Sequence, residues 1–181
     1  MSNKFCQLVT RDVYNDVPNY YFKSVKLPDT GTFYSGNALF SDTKSTTDYE
    51  GALWTGGLVA DITAEIVDII VNQGVYTTST GQRPAGNPNP TLISYTADTF
   101  GAMTLVQPHV GLEFHFTDDV VETSITPAVG KYLIAVNGTA ELIIANAYTT
   151  ELVVLEVVEV KDLKVGNTWY DGFVARVVVG L

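Results

Sequence analysis

Two histidines and the glutamate between them are the residues best placed by type to do chemistry: His109, Glu113 and His115. Imidazole nitrogens and a carboxylate are divalent-metal ligands, and Glu113 and His115 share one face of a strand because side chains alternate with a period of two. Gly111-Leu112-Glu113-Phe114-His115-Phe116 echoes a cupin metal strand, with one histidine where that family has two. His109 is six residues from His115, and Pro108 disturbs the start of the run. The plainer reading is a half-exposed histidine on an ordinary strand, and no metal site is assigned.

The remaining candidates carry less. Cys6 has only Lys4 as a basic neighbour and reads as a small buried apolar residue, not a nucleophile. Asp118-Asp119, followed by Glu122, supplies carboxylates for a glycosidase pair or a Ca²⁺ turn, but reads more simply as a solvated hairpin tip. Ser79-Thr80-Gly81 is no nucleophile elbow. Gly56-Gly57 and the Gly81 to Gly86 stretch match no phosphate-cradling loop. Asn137-Gly138-Thr139 has the form of a glycosylation sequon, for which a turn is sufficient explanation. No catalytic, cofactor-binding or metal residue is assigned, and no enzymatic activity is expected.

The aromatic residues point elsewhere. Tyr20-Tyr21-Phe22, Phe33-Tyr34, Trp54 and Trp169-Tyr170 are rings suited to interfaces or to stacking on sugars, alongside ordinary core packing.

The elements that position these residues read as mainly β. Strands are expected at Phe5 to Thr10, Tyr20 to Leu27, Gly31 to Phe40 with a bend at Gly36-Asn37, Leu92 to Tyr95, Ala102 to Val106, Val110 to Phe116 and Val120 to Ile125. Lys23 and Lys26 mark Tyr20 to Leu27 as a strand near a sheet edge, available to pair with a neighbouring subunit. Ser41 to Tyr49 reads as an exposed polar loop. Asp61 to Val71 is evenly poised. Ile62, Ile66, Ile69 and Ile70 fit one helical face capped by Asp61, whereas the β-branched content favours a strand.

Asn137-Gly138 between apolar runs predicts a type I′ hairpin, and Glu151 to Lys161 pairs with Trp169 to Val179 as a second, longer one. The Pro/Gly loop at 77–90 divides a β-rich N-terminal portion, 1–76, from an antiparallel sandwich or barrel at 91–181. Residues 1–19 are a candidate extended arm that wraps a neighbour.

Composition narrows the partners. Twenty acidic residues against ten basic ones give a net charge of −10, which disfavours nucleic acid and anionic lipid. Charged residues are 17% of the chain, against about a quarter usually, so more neutral surface is left for subunit contacts. A single cysteine permits no internal disulfide, and Met1-Ser2-Asn3-Lys4-Phe5 lacks the apolar core of a signal peptide. Folding in a cytoplasm is expected.

Three segments together carry a family likeness: Val129-Gly130-Lys131-Tyr132, the Asn137-Gly138 turn, and Phe173-Val174-Ala175-Arg176-Val177-Val178-Val179. With them the chain resembles structural proteins of tailed bacteriophage virions, capsid-associated proteins of the auxiliary or decoration type. The resemblance implies folding in the host cytoplasm, residence in the virion, and docking on the major capsid protein or other virion subunits. It also implies self-association, with no enzymatic activity and no cofactor. Alternatives are a tail, baseplate or fibre component, or a carbohydrate-binding module in which Trp54, Tyr34 or Trp169 stacks on sugar.

Overall fold

The computed structural model describes residues 3–9, 22–44, 54–71, 94–95, 103–122, 125–165 and 167–181. The sequence's 77–90 loop, Tyr20 and Tyr21 lie outside them. The chain is mainly β, with no α-helix among the described residues. The strands are β1 (Cys6–Leu8), β2 (Phe22–Lys26), β3 (Phe33–Tyr34), β4 (Ala38–Lys44), β5 (Trp54–Gly57), β6 (Val67–Ile70), β7 (Ser94–Tyr95) and β8 (Met103–Val106). They continue as β9 (Glu113–Thr117), β10 (Tyr132–Ala135), β11 (Leu142–Ala145), β12 (Val154–Val160), β13 (Leu163–Val165), β14 (Thr168–Tyr170) and β15 (Gly172–Val179).

A six-stranded antiparallel sheet, ordered β1-β9-β15-β12-β10-β11, holds most of the C-terminal half, and β2-β5-β4-β6-β8 closes into a five-stranded barrel. β1 thus joins the C-terminal sheet from the N-terminus, while β8 completes the N-terminal barrel. Residues 6–8 are therefore a strand of their own chain and not an arm free to wrap a neighbour.

Alternation sets the strand faces wherever one face meets solvent. In β10, Leu133 and Ala135 are buried while Tyr132 and Ile134 are half-buried, and in β13 Leu163 and Val165 flank exposed Lys164. One apolar core spans sheet and barrel, packing Phe114, Phe116, Phe173 and Leu133 with Ile69, Val67 and Val106. A second fills the barrel around Val25, Leu39, Ile70 and Leu105. A third lies under the β13–β14 hairpin, where Leu163 and Val165 meet Phe5.

Several expectations are corrected. β2 is not an edge strand: it lies between β5 and β8, and Lys23 bonds to Asp68 of β6. Ser41 is buried within β4, not in an exposed loop. Among the described residues of Val120 to Ile125 there is no strand. A 3₁₀ turn, Asp118–Val120, follows β9, and Val121 makes an isolated bridge to Leu142.

Asp61 to Val71 splits. Asp61 Oδ1 accepts from the Thr63 amide and hydroxyl to form a tight turn, and Val67–Ile70 is a strand. A β10–β11 hairpin forms at Asn137 and Gly138 (φ 77°), with Thr139 N donating to Val136 O, but not as the expected two-residue type I′ turn. Its loop is wider than a two-residue turn, because the ladder resumes only at Val136 and Glu141. The reason is tertiary: Gly138 N donates to Val59 O, and Asn137 Oδ1 accepts from Ile62 N.

The turn from Ser35 to Ala38 ties sheet to barrel. Ser35 Oγ accepts from Cys6 N and donates to Cys6 O, so it satisfies the backbone groups of Cys6 on the outer side of β1. Ala38 N donates to Ala140 O beside the opposite edge strand, β11, where Glu122 N also donates to Leu142 O. Gly36 sits at φ 96°, and a Cβ there would lie 2.5 Å from Val120 Cγ1. Only glycine fits that approach.

Candidate functional site

The structure separates the histidines. Glu113 and His115 share one face of β9, as their spacing implies, but each already has a partner. Arg176 of β15 stands directly across from Glu113 and donates to Oε1 from Nε at 3.0 Å and Nη2 at 2.7 Å. His115 is 8% exposed, buried where the sequence suggested half-exposure, and its Nε2 lies 2.9 Å from Lys161 O. His109 lies outside β9, on the loop after β8. Partial burial holds its imidazole below the usual range, opposed by the charge of Asp68. Among the described residues no three His, Cys, Asp or Glu side chains are grouped to hold a metal ion.

Cys6 is fully buried, and burial pushes its thiol well up, away from the nucleophilic thiolate. Ser79-Thr80-Gly81 lies outside the described residues. Asp118 and Asp119 are not a hairpin tip. They start the 3₁₀ turn and line a recess of about 240 Å³ with Asn3, Thr117, Tyr170 and Asp171. Burial raises the Asp118 carboxyl above its usual range, and repulsion from Asp171, Asp119 and Asp162 adds to the shift.

A polar cluster that no sequence motif announced lies within the barrel. Lys23 Nζ of β2 is 2.9 Å from Asp68 Oδ2 of β6 and donates to Ser41 O of β4 at 3.1 Å. Ser41 Oγ donates to the same carboxylate oxygen. The ammonium also lies 4.6 Å from the centroid of the Trp54 ring, a cation–π contact. Asp68 is 0% exposed, and its Oδ1 has no hydrogen-bond partner among the described residues. Burial therefore pushes its carboxyl up, against the pull of Ser41, Lys23 and His109. With the carboxylate and ammonium consumed by each other, the cluster is built to bridge three barrel strands.

Exposed chemistry is found at two kinds of place. One is a groove of about 260 Å³ where the Thr30–Asn37 segment faces the Val136–Glu141 loop, with Lys4 and Leu58 at its sides. The sequence singled out Tyr34 of this groove and the bend at Asn37. Lys4 and Glu141 carry no local signal, since three distant segments meet there.

The other is a set of large apolar side chains left in solvent: Val129, Tyr148, Val110, Leu181, Val160, Leu58 and Trp169, the last 62% exposed. Trp54 and Phe22 are partly buried against the cores, and Tyr170 packs under its own hairpin. Of the two tryptophans, only Trp169 is displayed to solvent. Comparison with protein-family models, with curated proteins and with solved structures finds no match.

Proposed function

We propose that this protein is a structural subunit of a tailed-phage virion, a capsid-associated auxiliary or decoration protein. On this reading it contacts the major capsid protein and further copies of itself. The observation that carries it is the display of large apolar side chains on a β scaffold in which the chain itself caps Cys6 at the β1 edge and Ala140 and Leu142 at the β11 edge. Val110 and Leu181 are joined by a backbone hydrogen bond, Tyr148 packs edge-on against Tyr132, and Trp169 projects on the β13–β14 hairpin.

Aromatic and aliphatic anchors of this kind drive association when a partner desolvates them. A standard interface buries about 1,600 Å² in total, and repetition over a lattice multiplies modest contacts. The chain's charge of −10 suits a position facing away from packaged DNA.

The test is rate-zonal sedimentation of a native source lysate with the chain followed by antibody. Co-migration with virion-sized particles is expected, and cryo-microscopy of those particles then locates the chain on head or tail. Recovery only as a free small oligomer overturns the proposal.

A further inference from the structure

We infer that the groove between the Thr30–Asn37 segment and the Val136–Glu141 loop binds a single neutral sugar residue. The argument is independent of any virion role and starts from size. At about 260 Å³ the groove falls below the roughly 300–1,000 Å³ typical of drug-sized ligands, so it takes one small compact unit.

Its lining is the second step. Tyr34 supplies an aromatic ring and Leu58 a half-exposed apolar wall, surfaces suited to the C–H face of a pyranose. Sugar hydroxyls donate and accept at once, so a sugar site needs both kinds of partner. Asn37 is 3% exposed, and its Oδ1 is taken by Tyr34 N at 2.7 Å. Its NH₂ has no partner among the described residues and remains a donor at the lining. The Glu141 carboxylate has no partner among the described residues either, and it remains an acceptor.

Charge decides the class. Lys4 is the one cation among the described residues of the lining, and Glu122 Oε1 holds its Nζ at 3.3 Å while it sits 5.2 Å from the Tyr34 centroid. The positive charge is thus matched within the protein. Glu141 is left over, and in a chain of net charge −10 it repels acidic ligands. A neutral polyol with an apolar face meets all these terms.

The experiment is a ¹⁵N–¹H NMR titration of the full chain with methyl α-glucopyranoside, methyl α-galactopyranoside and N-acetylglucosamine, each to tens of millimolar. Glucuronate serves as the charged comparison. At least one neutral sugar is expected to give saturable shifts at amides of residues 30–37 and 138–141, with a dissociation constant on the order of millimolar. Tyr34→Ala should weaken it about tenfold through lost stacking. Glu141→Gln should weaken it also, and Trp169→Ala should leave it unchanged. Absence of saturable shifts with all three neutral sugars overturns the inference. So do shifts centred on Trp169, or tighter binding of glucuronate than of every neutral sugar. The wild-type titration decides on its own if a variant does not fold.

Discussion

Replacing one member of the buried Lys23–Asp68 pair should damage the fold far more than replacing both. The Lys23 side chain is 11% exposed and that of Asp68 0%, with 2.9 Å between Nζ and Oδ2. Removal of a partner from a buried ion pair leaves an uncompensated charge and costs about 3–5 kcal/mol. Lys23→Met leaves the buried Asp68 carboxylate with the Ser41 hydroxyl and the more distant His109. Asp68→Leu takes from the ammonium its buried carboxylate while the two Ser41 oxygens and the Trp54 ring stay beside it. For a domain of this size such a loss lowers Tm by roughly 6–20 °C.

The triple variant Lys23→Met, Asp68→Leu, Ser41→Ala removes every polar member, and apolar replacement of a buried pair is often neutral or stabilising by about 1–4 kcal/mol. Urea unfolding, read as a change in midpoint at constant slope, measures each variant. The pH dependence has a fixed sign. Burial raises the folded carboxyl of Asp68 above its unfolded value, so its contribution is fully present below about pH 4 and is lost as pH rises through the folded value. The triple variant should therefore gain on wild type as pH rises through that window. Single variants that lose under about 1 kcal/mol, or a triple variant that loses the sum of its parts, would refute the account of the cluster.

Two further outcomes follow from the geometry. Gly36→Ala places a Cβ 2.5 Å from Val120 Cγ1 at φ 96°, and should lower stability by about 2–4 kcal/mol from left-handed strain and overpacking together. Chemical denaturation checks this, and a change within error would show that the Val120 side moves aside. Asp118→Asn removes a carboxylate crowded by Asp171, Asp119 and Asp162, so it should raise Tm at neutral pH. The folded carboxyl is raised, so the gain should shrink as acid titrates the group, and a gain that grows in acid would contradict the repulsion.

The sequence makes the β class legible because β10, β11 and β13 have one face toward solvent and alternate accordingly. β6 defeats the same rule. Val67, Asp68, Ile69 and Ile70 are all buried, with Ile69 in the core shared with the sheet and Ile70 in the barrel's own core. A strand packed on both faces shows no alternation, which is why its isoleucines also fit a helix.

Lys23 misleads for a related reason. A lysine in a short strand ordinarily marks an edge, but its partner Asp68 lies 45 residues on and leaves no local trace. The groove is legible only in part, at Tyr34 and Asn37. Lys4 and Glu141 reach it through strand pairings that local sequence cannot specify.

The same turn that shapes one wall of the groove also limits how the chain can assemble. Ser35 occupies both outward backbone groups of Cys6, while Ala38 and Glu122 take the carbonyls of Ala140 and Leu142 beside the other edge. β2, which the sequence offered for strand addition, is enclosed by β5 and β8. Strand addition needs a row of vacant donors and acceptors. At these positions that row is filled by the chain itself, so on the proposed reading contact with a partner falls to exposed side chains such as Trp169 and Val129. Side-chain contacts are geometrically more selective than backbone ladders, since they demand complementary pockets and not merely another strand. On the proposed virion reading, a surface of that kind repeats on a lattice without strand addition at these capped positions.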